Sequence, residues 1–209
     1  YKNKIMKKIF LIFSTVLISF SGISQKTTTD KKVEALLKKM TLQEKIGQLN
    51  QYTDDAKPTG PLVVNPNKEK DIKDGLLGSM LNVNGVDRTR KYQELAMQSR
   101  LKIPLLFGLD VIHGYKTTFP IPLAEAASWD LSAMEQSARV AATEASASGI
   151  HWTFAPMVDI SRDPRWGRVM EGAGEDTYLG SKIAFARVKG FQGNLGNLNS
   201  VMACAKHLV

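Results

Sequence analysis

The stretch "GLDVIHGYKTTFPIPLAEAASWD", residues 108–130, decides how the chain is read. An apolar run, "IPLLFGL" at 103–109, stops at an acid, Asp110, and His113 follows three residues later. A loop holding Pro120 and Pro122 comes next, and then an alanine-rich segment. Strand, polar mouth, loop and helix in that order form the repeating unit of an α/β fold.

Outward from this unit the same alternation recurs. Downstream, 132–148 reads as a helix opened by Ser132, with Glu135 at capping-box spacing. "WTFAP" (152–156) reads as a strand, 177–192 as a helix capped by Asp176, and "SVMACA" (200–205) as a strand. Upstream, "GSMLNV" (78–83) reads as a strand and 87–100 as a helix. Residues 53–74, rich in Pro, Asn, Lys and Asp, read as a loop. "TLQEKIGQL" carries a capping box, Thr41 with Glu44, and a helix is expected over 33–40 behind a polar, flexible 25–32. The strands are short and apolar, the pattern of a parallel sheet with helices on both faces.

Chemistry-bearing side chains gather just past the strands. Asp110 and His113 follow the second strand. Asp159, Arg162, Asp163, Arg165, Arg168 and Glu171 follow the third, and Lys206 and His207 the fourth. In a parallel α/β fold those carboxyl ends share one face, which in barrels carries the site. "KH" at 206–207 is the sharpest signal. Successive strand residues point to opposite faces, so both reach one ligand only if the backbone leaves strand geometry there. A cis peptide bond would achieve this. The plainer alternative is a solvated lysine with a histidine one layer removed. His113 either transfers protons or fixes its loop. Arg162 and Arg165 read mainly as ion pairs that shape their own loop. Trp129, Trp152 and Trp166 could stack on sugar faces or fill the core.

Composition narrows the classes. The 209 residues are 43% hydrophobic and 23% charged, ordinary for a globular protein. "MKKIFLIFSTVLISFSGISQ", from Met6, reads as a secretory signal peptide within residues 1–24. That stretch holds four lysines and no acid, so the net charge of +8 falls to +4 without it. The remaining basicity is dispersed, which argues against a nucleic-acid partner. It also leaves no membrane partner once the leader is cleaved. The single cysteine, Cys204, is expected as a buried inert thiol. His113, His151 and His207 lie far apart, so no metal site is expected, and His151 reads as packing or surface.

Taken together, "TLQEKIGQL", the 108–130 stretch, "WTFAPMVDISRDPRWGRVMEGAGEDTYLGS" and "AKHLV" resemble glycoside hydrolase family 3, in its periplasmic β-glucosidase branch. The resemblance covers the chain from about residue 33 onward. It implies an N-terminal (β/α)8 TIM-type barrel. With four strands counted of eight, residues 25–209 are expected to be its first half, truncated before closure. It also implies an exo-acting, retaining β-glucosidase, without cofactor, acting on a carbohydrate substrate in the periplasm or outside the cell. A β-xylosidase, or a noncatalytic sugar-binding relative, is the alternative. Carried onto this sequence, the family's sugar-binding residues fall on Asp110, Arg168, Lys206 and His207, with His113, Arg162 and Glu171 in support. The resemblance places the nucleophilic Asp and the acid/base carboxylate outside this chain. Leu208, where relatives often carry an aromatic, is a mild departure.

Overall fold

A computed structural model describes residues 27–54 and 65–207. The leader assigned to 1–24 and the departure at Leu208 lie outside the described residues. By contact clustering the chain forms two units, 1–40 and 41–209.

In the first unit, helix α1 (Thr28–Lys39) begins well before the expected 33. Thr27 and Asp30 form a reciprocal capping box that starts it. The polar composition of 25–32 masked that signal, because Thr and Asp favour loops and helix caps alike.

The second unit is built on five parallel strands: β1 (Gln51–Thr53), β2 (Ser79–Leu81), β3 (Leu106–Leu109), β4 (Trp152–Thr153) and β5 (Met202–Ala203). Each pairs with its predecessor in sequence, in the order β1-β2-β3-β4-β5. A doubly wound sheet reverses its strand order at a switch point, whereas sequential order winds one way, as a barrel does. Helices are α2 (Leu42–Gly47), α3 (Lys68–Lys73), α4 (Val86–Ala96), α5 (Pro122–Ala127), α6 (Leu131–Ala147) and α7 (Thr177–Gln192).

The packing corrects the expectation that both sheet faces are covered. On β3, Phe107 is 1% exposed, while Leu106, pointing the opposite way, is 42% exposed. One face meets helices and the other is open among the described residues, which is the one-sided covering of a barrel wall. The covered face holds Met80, Leu105, Phe107, Val201 and Phe191. Against them lies an alanine stripe of α6, Ala138, Ala141, Ala142 and Ala145. Small side chains let α6 approach closely. A Cβ on Gly190 of α7 would sit 2.3 Å from the Glu135 carbonyl oxygen, so only glycine fits that crossing.

Other boundaries differ for identifiable reasons. β1 brings the strand count to five. Its Gln-Tyr-Thr has no apolar run, and it is extended because it pairs with Ser79–Leu81. α3 lies inside the expected loop. Its one apolar residue, Ile72, is buried in the core, too little for a periodic signal. Pro122 opens α5 at a first-turn position, where its missing N–H is not needed. α6 is capped by Asp130, which accepts from the Ala133 N–H at 3.0 Å, and Ser132 lies inside the first turn. α7 matches its expected span and its Asp176 cap. Cys204 is only half-buried.

Candidate functional site

The three strand ends singled out in the sequence deliver their side chains to one place. Asp110 follows β3 directly. Lys206 extends the β5 line and bridges in parallel to Met157, beyond β4. The Lys206 Nζ donates to Asp110 Oδ1 at 2.8 Å and stands 3.9 Å from Glu171 Oε2. Glu171 closes a 3₁₀ turn, Val169–Glu171, that immediately follows Arg168. The turn lets the two side chains pair through both arms of the fork, each at 2.7 Å. Arg168 Nη1 then reaches His207 Nε2 at 3.1 Å. His207 Nδ1 lies 2.9 Å from Asp159 Oδ2, which also accepts from the His207 backbone N–H at 3.1 Å.

The result is a continuous chain: Asp110, Lys206, Glu171, Arg168, His207, Asp159. The Lys206–His207 peptide bond is cis, as the need for both side chains at one site suggested. Asp110 and Arg168 remain part-exposed while Lys206 is largely covered, so the cluster forms a rim with a buried ammonium beneath it.

The bonding determines the state of His207. Arg168 can only donate, so Nε2 must accept, and Nδ1 must carry the proton given to Asp159. That orders the ring between Arg168 and Asp159. The Arg168 hydrogen bonds hold Glu171 below its usual carboxylate range despite partial burial. For Asp159, burial pushes upward, but hydrogen bonds from the His207 ring and backbone outweigh it and leave the carboxyl lowered. Arg168 is raised, chiefly by Glu171.

The remaining expected residues sit elsewhere. His113 Nδ1 lies 3.1 Å from the Phe119 carbonyl oxygen, and the Phe119 N–H donates to the His113 carbonyl at 2.8 Å. His113 thus closes the loop after β3 upon itself. Arg162 is exposed and outside the chain of contacts. Arg165 pairs with Asp163 on the open loop. His151 stacks on Phe107 and accepts from its N–H at 3.2 Å, with burial lowering its pKa. Trp152 packs on Phe154, whereas Trp129 is 73% exposed.

Asp159 was missed as a member of the cluster. It is one of several acids in a long loop, and only its pairing with His207 distinguishes it. Another carboxylate in the same strand-end position, Asp54 after β1, was also missed. It is 1% exposed and held by Arg88 through both arms of its fork, with the Tyr92 hydroxyl at 3.2 Å. Finding it required β1 itself.

Comparisons with known proteins point to one family. Residues 41–209 match the glycosyl hydrolase family 3 N-terminal domain. A periplasmic β-glucosidase of Salmonella typhimurium is 46% identical over 85% of this chain and 23% of its own length. A putative β-xylosidase of Formosa agariphila is 32% identical over 86% of this chain and 26% of its own. Among solved structures, a Listeria innocua β-glucosidase in complex with isofagomine superposes with a TM-score of 0.77 at 44% identity, covering 85% of this chain and 25% of that one. The chain thus spans about a quarter of the length of these relatives.

Proposed function

Because the chain belongs to glycoside hydrolase family 3, we propose that the full-length protein is an exo-acting, retaining β-glucosidase. It removes terminal nonreducing β-D-glucosyl residues from oligosaccharides or glycosides in the periplasm or outside the cell. The observation that carries this reading is the unbroken contact chain from Asp110 to Asp159, assembled from three strand ends. Similarity to glucosidases, one of them periplasmic, supports the activity and the compartment.

Each side chain has a role in this reading. Asp110 accepts from two neighbouring sugar hydroxyls, and Arg168 and Lys206 donate to others. His207, with both ring nitrogens engaged, orients the Arg168 guanidinium. The cluster gathers three acidic side chains, Asp110, Glu171 and Asp159. Acidic groups around the sugar favour the positive charge developing at the anomeric carbon in an oxocarbenium-like transition state. The contacts therefore contribute to rate as well as to binding. The nucleophile and the acid/base are assigned to no residue of this chain.

Turnover by the full-length protein on a panel of aryl β-glycosides tests the proposal. The glucoside should give the highest kcat/KM. A xyloside preference would instead favour the β-xylosidase reading, to which the Formosa relative lends support. Sugar binding without turnover would point to a noncatalytic relative.

A further inference from the structure

One charged pair lies outside the contact chain and inside the protein. Arg187 of α7 is 3% exposed and Glu125 of α5 is 8% exposed. One arm of the Arg187 fork donates to Glu125 and the other to the backbone carbonyl of Ile112. Ile112 lies two residues past Asp110, in the loop that carries it. The guanidinium also sits over the Phe191 ring, 5.5 Å from its centroid. A small cavity is lined jointly by Ile112, Arg187, Asp159 and Glu171, so Arg187 borders the polar cluster.

Burying two charges is expensive, and an apolar pair of equal volume often serves stability as well or better. Arg187 occupies a core position on α7, in register with Ile183, Ala186, Gly190 and Phe191. Leucine or methionine would fill that position. Neither could donate to the Ile112 carbonyl while being locked by a carboxylate on a third element.

We infer that Arg187, anchored by Glu125, is a positioning residue: it holds the backbone of the Asp110 loop so that the Asp110 carboxylate meets the substrate in register. This rests on the glycosidase reading of the cluster. Arg187 touches no substrate and acts only through Asp110. A lysine at 187 keeps the charge but lacks the planar fork that reaches Glu125 and Ile112 from two separate nitrogens.

The test is a double-mutant cycle in the full-length enzyme, crossing Arg187→Lys with Asp110→Asn. The apolar pair Glu125→Leu with Arg187→Met serves as a second probe. Coupled residues depart from additivity, whereas independent ones add. Arg187→Lys should lower kcat/KM by about tenfold or more, with Tm nearly unchanged. In the Asp110→Asn background it should lower kcat/KM by less than about twofold. The apolar pair should keep or raise Tm while losing activity as Arg187→Lys does. Equal losses in both backgrounds, or a fully active Arg187→Lys or apolar pair, would overturn the positioning role and leave the function intact. If Asp110→Asn alone retains near-normal activity, the glycosidase reading of the cluster fails first, and this inference with it.

Discussion

Asp54 and Asp110 occupy the same topological position, the first residue past a parallel strand, yet they live in different surroundings. Asp54 is 1% exposed and surrounded by the Arg88 fork and the Tyr92 hydroxyl. Asp110 has 39% of its side chain exposed, with Lys206 at 2.8 Å. Position on the strand end delivers a carboxylate to the rim. What packs over it decides whether it ties the fold together or faces a ligand.

The strongest way to break this contrast is to remove each carboxylate. Asp110→Ala in the full-length enzyme should lower kcat/KM by roughly 10³-fold or more, because its contacts tighten toward the transition state. The thermal midpoint should hardly move. A loss below tenfold would mean that Asp110 does not grip the sugar. Asp54→Asn should do the reverse. It leaves the half-exposed Arg88 guanidinium without its charged partner and should cost about 1–2 kcal/mol in a denaturant titration, below the range for fully buried pairs because solvent screens Arg88. Activity of the molecules that remain folded should stay close to normal. If Asp54→Asn abolished turnover without loss of stability, the division between the two acids would be wrong.

Glu171 sharpens the comparison, since it serves both ends of the rim. Glu171→Gln removes one charged acceptor from Arg168 and should reduce kcat/KM by about 10–100-fold, mainly through KM, in steady-state assays. Its pH behaviour follows from the depressed pKa. A carboxyl lowered in the folded state contributes stability above its unfolded value near 4.3 and loses it as pH falls through the folded value. The stability gap between wild type and Glu171→Gln should therefore be full at pH 6 and shrink below about pH 4. Chemical denaturation at several pH values measures it, and a gap that widened on acidification would contradict the assignment. The smallest effect belongs to Arg165→Ala. Its partner Asp163 lies on the open loop, so the change should leave the thermal midpoint nearly unmoved and stay within about twofold in kcat/KM. A larger loss of activity would bring that loop into the site.

Much of the architecture was legible before any coordinates. α7 emerged with its span and cap because an amphipathic repeat and an Asp at its start are local signals. Four of the five strands were visible as apolar runs between turn residues, although the paired segments are shorter. β1 and α3 were not visible. The first is polar and extended only through its neighbour, and the second buries a single isoleucine. The capping of α6 went to Asp130, since two polar residues two positions apart offer the same local signal and the backbone path chooses between them.

For the site, the sequence alone determined which residue types stand after which strands, because parallel strands send their ends to one side, and the resemblance to glycoside hydrolase family 3 picked out Asp110, Arg168, Lys206 and His207 among them. Only the tertiary structure decided who meets whom. It drew Asp159 to His207, placed His113 on its own loop, left Arg162 outside, and buried Arg187 beneath Ile112. The physical reason is range: helix caps and apolar periods act over a few neighbouring residues, whereas these pairings join groups up to 96 positions apart and exist only once the sheet has formed.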